Sequence, residues 1–77
     1  MVHTGVVAFK PKEDFEKMAE HVWSLLATHR GKNIIVEEVG SQKTLTVDQE
    51  RTLVEMRVVL FNFCLNAAGR VLVKVLH

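Results

Sequence analysis

A single cysteine, Cys64, excludes any disulfide within this 77-residue chain, and its apolar neighbours read it as a packed thiol rather than a redox centre. His3, His21, His29 and His77 follow no metal-ligand spacing, so neither a metal nor another cofactor is expected. The four glycines, Gly5, Gly31, Gly40 and Gly69, are scattered singly and build no phosphate loop or dinucleotide fingerprint. An excess of one charge is also missing. Ten basic against nine acidic side chains leave a net charge of +1, which argues against a broad phosphate footprint but leaves room for a local basic patch or a groove formed by an oligomer. No apolar run reaches the roughly 18 residues that cross a bilayer, so no membrane partner is expected. The opening MVHTGVVAFKPKED lacks the basic-then-apolar pattern of a leader, and a cytoplasmic protein is expected.

Catalytic signatures are equally scarce. Ser24 falls in a helical pattern and Ser41 in a turn, with nothing marking a strained nucleophile turn. The adjacent Glu37 and Glu38 would point to opposite faces of a strand, which suits a solvated strand end better than an acid pair. No catalytic residue is assigned, and the expectation is a protein without enzymatic activity.

What is present describes a small packed domain spanning residues 1–77. Thr4 to Lys10 is β-branched and apolar and stops at Pro11, as a first strand would. From Lys12 to Arg30, Phe15, Met18, Ala19, Val22, Leu25 and Leu26 recur at helical spacing, and Gly31 ends the pattern. Asn33 to Val39 and Lys43 to Thr46 flank the turn-like Gly40-Ser41-Gln42 and predict a hairpin. Arg70 to His77 alternates Val71, Val73 and Val75 with Leu72, Lys74 and Leu76, a strand with one inward face. The order is β-α-β-β-α-β, an α+β fold with two helices packed on one face of a small, mostly antiparallel sheet, and the spacing permits a split β-α-β arrangement of ferredoxin-like type.

The long stretch from Thr46 to Gly69 predicts the second helix. Thr46 and Gln49 suit its start, Asp48 complements the positive end of the dipole, and Gly69 suits a left-handed stop. Its second half, VVLFNFCL from Val58 to Leu65, is interrupted only by Asn62. One apolar stripe of roughly 100° is too narrow to bury all of it. A sheet covers one side, and the first helix or a second copy must cover the other. Val58, Phe61 and Leu65 are therefore the expected oligomer interface. A domain this small buries only about 60–65% of its unfolded surface, which also favours self-association.

Trp23 lies at the margin of the first helix's apolar side. Packing is its favoured role, ahead of an interface contact or an exposed stacking platform. Lys43, Arg51, Arg57, Arg70 and Lys74 are the basic residues around the second helix; they are ordinary surface charges unless other elements gather them into a phosphate-facing patch.

The segment LTVDQERTL, Leu45 to Leu53, with the strand, amphipathic helix and apolar strand before it, resembles the NinB (Orf) family of phage recombination proteins. The shared positions are Thr46, Asp48, Gln49 and Arg51, although an Asp-Gln pair at a helix start also has the capping explanation. The resemblance implies a dimer that binds single-stranded DNA in recombination. Lys43, Gln49, Arg51 and Arg57 are then the nucleic-acid-binding candidates. The alternative expectation is a protein-interaction module, such as a small phage inhibitor or regulatory subunit, that meets a host or phage protein and binds no nucleic acid.

Overall fold

A computed structural model describes residues 6–76 of the chain. Six elements follow the expected order: β1 (Val7–Phe9), α1 (Phe15–Thr28), β2 (Ile34–Glu38), β3 (Thr44–Val47), α2 (Leu53–Leu65) and β4 (Val71–Val75). The expected first strand is shorter than Thr4 to Lys10, and Thr4 and Gly5 lie outside the described residues.

The four strands form one antiparallel sheet in the order β1-β4-β2-β3. Because every adjacent pair is antiparallel, β1 and β2 run parallel with β4 between them, and β3 and β4 run parallel with β2 between them. Both strand-helix-strand units are thus split by a strand of the other. This interlocking makes β2 and β4 the central strands, and they are the ones with the cleanest inward alternation.

The period of two divides the sheet into faces. Val71, Val73 and Val75 of β4, Ile34 and Val36 of β2, and Val47 of β3 are buried on one of them. Both helices cover that face, α1 with Met18, Ala19, Val22 and Leu26 and α2 with Met56, Leu60 and Cys64. On the opposite face Ile35, Leu72 and Lys74 are only half-buried. There Lys74 Nζ of β4 and Glu37 Oε1 of β2 form an ion pair at 2.8 Å.

Both helix starts differ from the sequence expectation. Residues 11–14 form turns before α1, where Asp14 N–H donates to Lys10 O and Lys10 N–H donates to Asp14 Oδ2. The second correction is larger. Thr46 belongs to β3, opposite Ile35, and the N-cap of α2 is Thr52. Thr52 Oγ1 accepts from Glu55 N–H while Glu55 Oε1 accepts from Thr52 N–H, a complete reciprocal box that Thr46 and Gln49 do not make. The β-branched run Thr44–Val47 instead satisfies its backbone against β2.

Gly69 is not a left-handed stop either. Positive φ occurs among the described residues at Gly31 (81°) and Gly40 (88°), and α2 ends at Leu65 with Asn66 as C-cap. Gly69 is small for another reason: an added Cβ would stand 3.3 Å from Val39 O, where the α2–β4 connection crosses the end of β2. Glu38 reaches the same crossing. It is a buried side chain rather than a solvated strand end, and its Oε2 accepts from Ala68 N–H at 2.8 Å and Gly69 N–H at 3.1 Å.

Candidate interaction surface

The residues of α2 divide by height around the helix. Met56, Leu60 and Cys64 turn into the core, with Met56 and Leu60 wholly inaccessible. On the outward side Val54, Val58, Phe61 and Leu65 recur at steps of four, three and four residues, and each is between 52% and 70% exposed. A helix apolar on both sides needs cover on both, and among the described residues only the inward side has it. Val58, Phe61 and Leu65, expected at an interface, therefore share one exposed stripe. Val54 completes it; the same spacing marks Val54 in the sequence, one turn before the apolar run begins.

The stripe runs along the seam with α1. Phe61 meets Phe15 edge-on, with ring centroids 5.6 Å apart and an interplanar angle of 88°. Arg57 lies over the Phe15 ring, its guanidinium carbon 5.5 Å from the centroid, and Nη2 donates to Glu16 Oε2 at 2.8 Å. That hydrogen bond holds the Glu16 carboxyl below the usual carboxylate range. Because β1 and β3 run antiparallel and each helix returns between the two parallel strands of its unit, α1 and α2 also run antiparallel. Beside Phe61 and Leu65 a small hollow of about 80 Å³ opens, lined also by Pro11, Lys12, Phe15 and Cys64.

The nucleic-acid candidates do not come together in the same way. Lys43 and Gln49 flank β3 at opposite ends, with its four residues between them. Both carboxamide hydrogens of Gln49 are engaged, donating to His29 O at 3.1 Å and Lys32 O at 2.9 Å, so this side chain ties down the loop after α1. Arg57 is paired with Glu16, and the Nε of Arg51 is buried without a hydrogen-bond partner. The residues that carry the NinB resemblance also precede α2 instead of opening it: Thr46 is in β3, and Asp48 Oδ1 accepts from Glu50 N–H in the loop.

A second, larger hollow of about 310 Å³ lies beyond the other end of the helix pair, lined by Trp23, Leu26, Ala27, Arg30 and Gln49. Trp23 is 40% exposed there, so its ring packs at a margin rather than in the core. Among the described residues no group of three or more His, Cys, Asp or Glu side chains converges. His21 packs against Phe9, ring centroids 5.6 Å apart, with its Nε2 buried and unpartnered, and burial lowers its pKa. Cys64 donates to Met18 Sδ at 3.7 Å, and burial pushes its thiol up to about 11. No helix among the described residues is long and apolar enough to cross a membrane.

Compared with protein-family models, curated proteins and solved structures, the chain has no match.

Proposed function

We propose that this protein is a non-enzymatic interaction module whose working surface is the outward stripe of α2. The observation that carries this reading is the exposure of Val54, Val58, Phe61 and Leu65 together on a helix whose opposite side already fills the core. Contiguous exposed apolar surface of this kind is characteristic of protein contacts. Nucleic-acid binding has less support. Of its four candidate side chains, Arg57 is paired with Glu16 and the Gln49 amide is committed to backbone carbonyls.

The reading is tested by affinity capture with the wild-type chain and with Val58→Asp, in the presence and absence of nuclease. A stoichiometric protein retained by wild type, a second copy of the chain included, insensitive to nuclease and lost from a folded Val58→Asp variant, is the expected result. Capture that the substitution leaves unchanged, or that nuclease abolishes, would count against it. The second of these outcomes, together with salt-dependent binding of single-stranded DNA that Arg51→Ala weakens, would favour the nucleic-acid reading.

A further inference from the structure

We infer that the occupant of the α2 stripe is a second copy of this chain, docked antiparallel across a two-fold axis level with the midpoint between Val59 and Leu60. This rests on the stripe being an interaction surface, and adds the partner and the register. Val54 and Leu65 are equidistant from that midpoint, as are Val58 and Phe61. A two-fold axis there sets Val54 against Leu65 of the second copy and Val58 against its Phe61, each pair occurring twice. Every contact then joins a small valine to a larger side chain, so the four layers have similar thickness and can interdigitate. A parallel pairing would instead set valine on valine in two layers and the larger side chains on their own copies in the other two, layers of unequal thickness. The four-three-four spacing is also that of a helix seam packed at a shallow crossing angle.

The flanking polar residues accept the same register. Glu55 and Asn62 border the stripe on the side away from Arg57. With a rise of 1.5 Å per residue, Asn62 comes within about 3 Å, along the axis, of Glu55 in the second copy, where its amide can donate to the carboxylate. The two Glu55 carboxylates stay about 13 Å apart along the axis, beyond the screening length at ordinary ionic strength. On the other flank the two Arg57 side chains come within about 7.5 Å along the axis, each accompanied by the Glu16 carboxylate of its own copy at 2.8 Å. A helix of 13 residues is only about 20 Å long, which places the contact at the small end of specific interfaces.

Cross-linking reads the register directly. In a Cys64→Ala background, the double variant Val54→Cys with Leu65→Cys should form a covalent dimer under mild oxidation. Each single variant should not, because each position lies about 16 Å along the axis from its own copy. Self-cross-linking of either single variant would overturn the antiparallel register while leaving α2 as the interaction surface. Sedimentation of the wild-type chain at micromolar concentration needs no substitution and should give a dimer, with the affinity falling by about a hundredfold or more in Val58→Asp, which buries a carboxylate against an apolar partner. A wild-type monomer there would overturn the inference altogether; the capture experiment would then decide by itself whether the stripe serves a different protein.

Discussion

At the scale of single residues, the two side chains that do most to define this molecule's interior chemistry are Glu38 and Cys64. Glu38 joins three segments: its Oε2 holds the backbone of Ala68 and Gly69, and its Oε1 accepts from Ser41 Oγ in the β2–β3 turn. Those donors, the Ala68 N–H foremost, lower the Glu38 pKa, so the folded state favours the ionised form. The stabilisation is therefore complete above the ordinary carboxylate range and is lost as pH falls through the lowered value. Glu38→Gln should melt below wild type at neutral pH, and the difference should shrink on acidification; thermal melts across that range check it. For Cys64 the expectation is chemical silence. Buried, and with its thiol pushed up to about 11, it should react with a thiol reagent only as fast as the chain opens, and promptly in denaturant, as a colorimetric thiol titration would show. The buried thiol was legible from its neighbours in sequence. Glu38 was not, because its partners lie 30 and 31 residues away, and local pattern identifies a strand end without saying which loop crosses it.

At the scale of elements, the strands and helices were legible wherever one period dominated, as in the valine alternation of β4 and the apolar spacing of α1. The start of α2 was not, because two threonines six residues apart both precede an acceptor at the right spacing: Thr46 with Gln49, and Thr52 with Glu55. Local chemistry nearly balances. Pairing with β2 decides, since β3 takes Thr46 into the ladder and leaves Thr52 to cap. The two sites should therefore separate on substitution. Thr52→Ala removes the acceptor for Glu55 N–H and should cost about 1 kcal/mol, whereas Thr46→Ala, at an exposed position on an edge strand, should cost about half that or less, measured by denaturant titration. Equal losses would argue that Thr46 shares the capping role.

At the scale of the whole molecule, the described residues surround the apolar run of α2 only in part. The sequence made that conflict visible, since VVLFNFCL cannot hide on one side of a helix, but periodicity alone could not tell which residues the sheet and α1 would claim. The fold resolves it between residues only two apart: Leu60 is wholly buried and Val58 is 54% exposed. An aspartate at the two positions should accordingly have opposite consequences. Leu60→Asp places an unpaired charge in the core of a small, marginally stable domain and should abolish folding, read as loss of the cooperative melt. Val58→Asp should leave the monomer fold intact. If α2 pairs with a second copy, mass action also makes the wild-type melting temperature rise with protein concentration, because the dimer binds the folded chain and not the unfolded one. The slope of melting temperature against the logarithm of concentration should be positive for wild type and flat for Val58→Asp, with the two curves converging at high dilution, where both are monomers. A flat wild-type curve would mean that the outer stripe contributes nothing to stability through self-association. Curves that stay apart on dilution would instead place Val58 within the monomer's own packing.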